Sequence, residues 1–396
     1  MERQVENTWN TVENNNVAKA LSWHASRQPN AIAIHYTKTV SFGKESYLRC
    51  SYREMDELSD AYARGLHAYG IVAGTRTALM LTPGLDFFAV FFALFKAGAV
   101  PVLIDPGIGM KPLKACLAEA APKAFIGVTK AHFARKVLGW AKASCELLGT
   151  AGPRLGLGGI TLKKLREMAE NSGETVLAEV KPNDMAAILF TSGSTGVPKG
   201  VVYRHRHFNA QVEMLKNAFD IEPGEVSLPT FPPFALFDPA LGMTTVVPIM
   251  DPTRPAEADP EKLLDAINRF KVTNVFGSPA LLNTLSRHCV DRKIRIESVT
   301  RVISAGAAVP IRTIRRMQKA LYQDAKIHTP YGATECLPVS SISASELDDR
   351  MVDRIESGDG VCVGRPIEPN DVRIIKISDM AFNDISETTE MPFGMA

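Results

Sequence analysis

Apolar residues recur along this chain in two alternating rhythms, one helical and one extended. Met55, Leu58, Ala61, Tyr62, Leu66 and Tyr69 fall at helical spacing. Ser51-Tyr52-Arg53-Glu54 opens that run with capping-box spacing, and Gly70 closes it. Before it, Leu21 to Gln28 predicts a helix, and Ile32-Ala33-Ile34 with Tyr36 a strand. After it, Thr77 to Leu81 predicts a short buried strand. Phe87 to Ile104 is nearly all apolar, but Lys96 and Gly98 interrupt it, and Pro101 lies within it. A buried helix over Leu85–Lys96, a stop at Gly98 and a buried strand over Val100–Ile104 account for this stretch better than a membrane span. A helix over Pro112–Ala120 and a strand over Phe125–Val128 follow.

Gly149 to Gly159 is rich in glycine, but its spacing is not that of a dinucleotide loop and no clear strand precedes it, so it is expected to be a surface connection. Lys181-Pro182-Asn183-Asp184 has the composition of a boundary. Beyond it the alternation resumes. Helices are expected over Phe208–Phe219, from Asp259-Pro260 with Leu263, Leu264, Ile267 and Phe270 inward, from Ser278-Pro279, and over Pro310–Leu321. Strands are expected over Val272–Phe276, Val299–Ile303 and Ile327–Thr329, and the basic residues Arg312, Arg315, Arg316 and Lys319 on a solvated face. Val372 to Ile377 alternates as a strand would. The pattern predicts an α/β protein: two similar units over residues 1–181 and 182–345 with largely parallel, helix-flanked sheets, and the start of a β-rich unit over 346–396.

Composition narrows the functional classes. With 396 residues the chain can bury more than one core. A formal net charge of +2 argues against a dedicated nucleic-acid surface. Cys50, Cys116, Cys145, Cys289, Cys336 and Cys362 are scattered, which suits reduced thiols in the cytoplasm and neither a disulfide framework nor a zinc site. Met1 to Asn16 is polar and has no secretory pattern.

The chemistry concentrates in one loop. Between the apolar runs Ile188–Phe190 and Val201–Tyr203 lie Thr191, Ser192, Gly193, Ser194, Thr195, Gly196, Val197, Pro198, Lys199 and Gly200. Glycines let backbone amides converge, and hydroxyls with one ammonium add donors, a combination suited to a polyphosphate. Lys199 is followed by Gly200 and then by strand-forming residues. A Walker loop would instead run from its lysine straight into a helix. Arg204-His205-Arg206-His207 follows closely, but with no third ligand evident its His pair suits a polar helix entrance better than a metal site.

This loop resembles the phosphate loop of the adenylate-forming superfamily of acyl-CoA synthetases, peptide-synthetase adenylation domains and luciferases. Ser304-Ala305-Gly306-Ala307-Ala308-Val309-Pro310 resembles the family's adenine-contacting turn. Tyr331-Gly332-Ala333-Thr334-Glu335 resembles the motif whose aromatic stacks on adenine, whose threonine contacts the α-phosphate and whose glutamate helps hold magnesium. The resemblance therefore implies ATP and Mg2+, with Lys199, Thr334 and Glu335 catalytic, and Thr191 to Gly196, Gly306 to Ala308, Tyr331 and Gly332 binding the nucleotide. His205 matches a position where the family often has histidine and stands as a secondary candidate.

Phe231-Pro232-Pro233-Phe234-Ala235-Leu236-Phe237-Asp238-Pro239-Ala240-Leu241-Gly242 occupies the place where most members carry an aromatic and a histidine lining the acyl channel; here there is no histidine. With Met250–Pro255, Cys336–Val339 and Glu368–Arg373, this stretch is similar to the branch of bacterial long-chain olefin biosynthesis that forms β-lactones. In that branch the 3-hydroxyl of an activated 2-alkyl-3-hydroxy fatty acid attacks the acyl adenylate, giving lactone and AMP without coenzyme A. A tethered nucleophile has a high effective concentration. Phe231, Phe234, Phe237 and Leu241 either line an apolar acyl channel or form ordinary core.

The family continues past Ile377 with a ribose-binding aspartate, a hinge and a small C-terminal lid bearing a catalytic lysine, and Ser378 to Ala396 matches none of these. The expectation is an N-terminal portion that binds nucleotide weakly and adenylates poorly, which full-rate pyrophosphate release would overturn. Two other readings remain open: a fatty-acyl-CoA or acyl-AMP ligase, and a non-catalytic nucleotide-binding scaffold. The expected partners are ATP and a fatty hydroxy acid, without nucleic acid or a transmembrane segment; other enzymes of the same lipid pathway or a second copy of the chain complete the list.

Overall fold

The computed structural model describes residues 14–39, 45–170, 177–191 and 198–391. The phosphate-loop residues Ser192, Gly193, Ser194, Thr195, Gly196 and Val197 lie outside the described residues, as does most of the Met1–Asn16 segment.

In chain order the first elements are α1 (Lys19–Arg27), β1 (Ile32–Thr39), β2 (Glu45–Ser51), α2 (Tyr52–Ala68) and β3 (Arg76–Met80). Next come α3 (Leu85–Lys96), β4 (Val100–Ile104), α4 (Met110–Ala120), β5 (Ala124–Val128), α5 (Thr129–Leu138) and β6 (Leu147–Ala151). Then follow β7 (Ile160–Thr161), α6 (Leu162–Ala169), β8 (Met185–Thr191), β9 (Lys199–Arg204) and α7 (His205–Ala218). The chain continues with β10 (Val226–Pro229), α8 (Pro232–Ala235), β11 (Thr244–Val246), α9 (Pro260–Phe270), β12 (Asn274–Phe276) and α10 (Pro279–Arg292). It closes with β13 (Arg301–Ile303), α11 (Ile311–Ala320), β14 (Lys326–Ala333), β15 (Cys336–Ser343), α12 (Asp349–Ser357) and β16 (Arg365–Pro366).

Two sheets result. The first runs β7-β6-β5-β3-β4-β8-β9 and is parallel except for β9, which returns antiparallel to β8. The second runs β16-β15-β14-β13-β12-β10-β11-β1-β2; its six central strands are parallel, with antiparallel strands at both edges. This is the α/β architecture the pattern predicts. The sheets do not divide at 181, however. β1 and β2 join the second sheet, and β8 and β9 join the first. Apolar alternation marks each segment as a strand but carries no record of its partner, and Ile34 pairs with Thr245 far along the chain.

Local capping follows the sequence closely. The Ser51 side chain accepts from the Glu54 amide while Glu54 reaches back to the Ser51 amide, and Asp259 and Ser278 cap helices that begin with proline. The apolar stretch after residue 84 is the buried helix α3 and the buried strand β4. Lys96 in that stretch is 1% exposed, and its ammonium lies 2.6 Å from both Asp56 and Asp60 on α2. A buried ammonium is tolerated because two carboxylates neutralise it. No described helix is long and apolar enough to cross a membrane.

Two expectations fail locally. Of the surface connection expected over residues 149–159, residues 152–159 do lie outside any strand or helix and are mostly exposed, but Gly149 belongs to β6; it pairs beside Ile126 of β5, where an added Cβ would come within 3.1 Å of that side chain. Val372 to Ile377 forms no strand: it makes one bridge, Ile375 to Glu390, and Ile377 stays exposed. Alternation stabilises a strand only where a neighbour supplies a ladder and one face finds a core. Over the described part of 346–396, α12 and the two-residue β16 replace the expected β-rich unit.

Candidate active site

The parallel strands deliver several predicted site segments to one edge of the second sheet. The 231–241 stretch leaves the C-terminal end of β10, the 304–308 turn leaves β13, and Thr334-Glu335 follows β14. Open α/β sheets bind ligands at this carboxyl edge. Ile303 is registered opposite His328, so Gly306 and Tyr331 each lie three residues beyond a paired position. The Ser304 amide donates to the His328 carbonyl and holds the two segments together at 3.0 Å.

Gly306 has φ +94 and open space where a Cβ would stand, so the turn can present its backbone. Gly306, Ala307 and Ala308 are exposed. Tyr331 is 56% exposed, so this large aromatic at the end of a strand is open to solvent and available for stacking. Thr334 is half-buried at the hairpin between β14 and β15, and Glu335 is exposed beside it. Among the described residues no cluster of three His, Cys, Asp or Glu could hold a metal. A lone carboxylate still fits Mg2+, which takes one or two protein oxygens and completes its shell with water and phosphate.

The phosphate loop is anchored on the first sheet. Thr191 ends β8 and Lys199 opens β9 as its antiparallel partner, so Lys199 runs into a strand and not a helix. A strand directly after the lysine differs from a Walker loop, as the residues after Lys199 imply. Lys199 is exposed, and the Gly200 amide donates to a Glu119 carboxylate oxygen on α4 at 3.3 Å.

One feature escaped the sequence reading and joins the two halves. Four residues beyond Lys199, the buried Tyr203 donates its hydroxyl to the Thr334 carbonyl at 2.5 Å. From α7, the Gln211 amide donates to the Leu337 carbonyl at 3.0 Å. The strand leaving the phosphate loop thus holds the backbone of the turn that carries Thr334 and Glu335. The only signal in the sequence was a tyrosine in a strand otherwise flanked by charge.

His205 is placed differently from a phosphate ligand. It is 2% exposed, its ring lies 5.9 Å from that of Phe95, and burial pushes its pKa down to about 4. His207, by contrast, accepts from the Arg204 amide through Nδ1 and closes the start of α7, the polar helix entrance expected there.

The aromatic stretch forms a layer at the same edge. Phe234 stacks on Phe276 with centroids 4.2 Å apart, and Phe237 lies 6.0 Å from Phe208. Phe231 and Phe234 are half-buried, whereas Leu241 is core. Phe237, Phe208 and the α3 residues Phe91, Phe92 and Phe95 line a cavity of about 10 Å³. That is room for about one water, so an acyl chain entering here must displace phenyl rings.

Asp238 was also missed, although a lone acid in Phe-Ala-Leu-Phe-Asp-Pro was a legible signal. It is 6% exposed, and burial pushes its pKa up to about 8 against the opposing pull of the Ser227 and Thr245 hydroxyls. The turn after it is clamped from the N-terminal helices. His24 Nε2 meets the Ala240 carbonyl at 3.1 Å, Gln28 donates to Gly242, and Tyr52 donates to Met243.

The chain resembles known proteins in both sequence and fold. An olefin beta-lactone synthetase of Stenotrophomonas maltophilia is 52% identical over 382 residues, covering 96% of this chain and 68% of that protein. One of Xanthomonas campestris pv. campestris is 51% identical over 381 residues, covering 96% and 67%. The chain thus spans about two thirds of the length of these relatives. A long-chain-fatty-acid-CoA ligase of Archaeoglobus fulgidus shares the fold with a TM-score of 0.78 at 19% identity, covering 98% of this chain and 74% of that one. The family described as AMP-binding enzyme matches residues 21–385, and with a carboxyl-edge site of this form the chain belongs to that family of adenylate-forming enzymes.

Proposed function

We propose that the protein activates a fatty 3-hydroxy acid with ATP and then closes it to a β-lactone. The observation that carries this reading is the 52% identity, over 96% of the chain, to a relative named olefin beta-lactone synthetase. In the first step a carboxylate oxygen bonds to the α-phosphorus and the bond to pyrophosphate breaks. In the second, the 3-hydroxyl oxygen bonds to the acyl carbon, the acyl–phosphate bond breaks, AMP leaves and the hydroxyl proton passes to solvent.

In this reading Lys199 and the 191–196 loop grip the polyphosphate, Tyr331 stacks on adenine beside Gly306, Ala307, Ala308 and Gly332, and Thr334 bonds the α-phosphate. Glu335 would hold magnesium, which would supply positive charge against the repulsion between the polyphosphate and the incoming carboxylate. Phe231, Phe234 and Phe237 exclude water from the acyl group, and Leu241 backs them from the core. A dry layer with no histidine suits a reaction whose nucleophile is built into the substrate.

The test supplies ATP, Mg2+ and a 3-hydroxy fatty acid to the protein, with and without coenzyme A. Lactone and AMP formed without coenzyme A support the proposal; thioester formed only with it makes the protein an acyl-CoA ligase. Calorimetry with ATP separates the scaffold reading: Lys199→Ala is expected to weaken binding at least tenfold, and absence of binding in both forms overturns the nucleotide site.

A further inference from the structure

Charge is unevenly spread along this chain. Residues 106–158 carry eight Lys and Arg against two Glu, although the whole chain is only +2. One of those acids, Glu146, is paired with Lys123, and the other, Glu119, accepts from the Gly200 amide. The same segment leaves four large apolar side chains in solvent: Met110 at 53% exposure, Phe133 at 62%, Val137 at 66% and Leu155 at 75%.

These residues share one side of the first sheet. Leu113, Cys116 and Leu117 of α4 join Ala131, Ala134 and Leu138 of α5 in one core cluster, so the outer faces of both helices look away from the same sheet face. Phe133 and Val137 are one helical turn apart on α5, with exposed Lys130 and Lys136 beside them. Lys114 of α4 reaches the end of α5, its ammonium 4.0 Å from where a Cβ on Gly139 would stand. The Thr129 hydroxyl donates to the Pro153 carbonyl at 2.7 Å and ties the start of α5 to the loop carrying Arg154 and Leu155.

Topology aligns them as a rim. Met110, Lys130 with Phe133, and Arg154 with Leu155 follow the C-terminal ends of β4, β5 and β6, which lie in the sheet order β6-β5-β3-β4. From these we infer that the rim formed by α4, α5 and the 152–158 loop docks the protein on an anionic lipid bilayer. Lys and Arg meet the anionic headgroups, while Phe133, Val137, Leu155 and Met110 enter the boundary between headgroups and acyl chains. Apolar side chains interleaved with cations distinguish this face from a nucleic-acid surface, where exposed aliphatic groups have nothing to bury against. The inference stands apart from the reaction proposed above.

Vesicle flotation tests it, using phosphatidylcholine alone and phosphatidylcholine mixed with phosphatidylglycerol. The protein is expected to float with the mixed vesicles at low salt, to be released by high salt, and to stay behind with phosphatidylcholine alone. Lys130→Glu with Lys136→Glu, and separately Phe133→Ser with Val137→Ser, should each lower the partition at least tenfold without moving the thermal midpoint, because all four side chains are exposed. Failure to float with the anionic vesicles, or flotation unaltered in the Phe133/Val137 pair, overturns the inference. Equal retention by single-stranded DNA that survives loss of Phe133 and Val137 reassigns the rim to general polyanion binding and equally overturns it.

Discussion

Tyr203→Phe isolates the link between the two halves of the site. The substitution keeps the ring, its buried packing and its contact with Phe208, and removes only the hydroxyl that donates to the Thr334 carbonyl at 2.5 Å. A neutral hydrogen bond of this kind contributes about 0.5–1.5 kcal/mol net. Gln211 does not replace it: its amide lies 3.5 Å from the Tyr203 hydroxyl, too far for a strong bond, and is already engaged with Leu337. The turn carrying Thr334 and Glu335 therefore keeps its second anchor but gains freedom. The expected result is a loss of roughly 3- to 10-fold in kcat/KM for ATP, measured as AMP formed at saturating acid. The thermal midpoint should fall by no more than about 4 °C. Tyr203→Phe with Gln211→Leu removes both donors and should cost more than the two single changes together. Kinetic constants for Tyr203→Phe within twofold of the parent would refute the link.

Three further outcomes follow from buried groups and close contacts. The Asp238 pKa is raised to about 8 from 3.8, so between those values the folded protein keeps a proton that the unfolded chain has lost; stability is then full below pH 3.8, falls as pH rises, and levels off above 8. The slope is on the order of 1 kcal/mol per pH unit, and Asp238→Asn should remove it from denaturation curves at pH 5 and 8, whereas an identical slope in the variant would sink the assignment. His24, His205 and His328 are pushed the other way, to about 4 by burial, so their contribution is full above pH 6.5 and lost as pH falls toward 4. Near pH 5 these three against Asp238 should give a net uptake of about two protons on unfolding, readable from the pH dependence of stability. At Gly65 on α2 an added Cβ would stand 2.0 Å from the Leu165 carbonyl oxygen of α6, so Gly65→Ala should destabilise by roughly 2–4 kcal/mol in urea despite alanine's better helix propensity.

Elements bounded by strong local signals were legible to the residue. Leu85–Lys96 and Val100–Ile104 were set by an apolar run cut at Gly98, and α9 and α10 by a cap followed by proline. Partnership was not legible. Nothing in Ile32–Tyr36 states that its neighbour is Thr244–Val246, and the boundary expected at 181 fails for that reason. Val372–Ile377 fails from the opposite side, because its alternation is correct but no sheet receives it. At the site, residues in a long motif could be assigned roles by resemblance, whereas Tyr203 acts through a contact 131 residues away. His205 shows the reverse error: its position beside the loop was legible, but the inward turn of its ring toward Phe95 was not.

The exchange of strands between the sheets also bears on how the chain is made. β1 leaves the ribosome early, but its parallel partner β11 appears only some 200 residues later. At roughly 5–20 residues per second that wait is about 10–40 s. During it, the hairpin of β1 and β2 has an unpaired edge, a template for pairing with another nascent chain. The first sheet waits in the same way for β8, which pairs with β4 and must be synthesised past residue 191. Neither half can close before the other has begun, so slower synthesis or a split gene should lower the yield of folded protein more than the stability of the finished molecule would suggest.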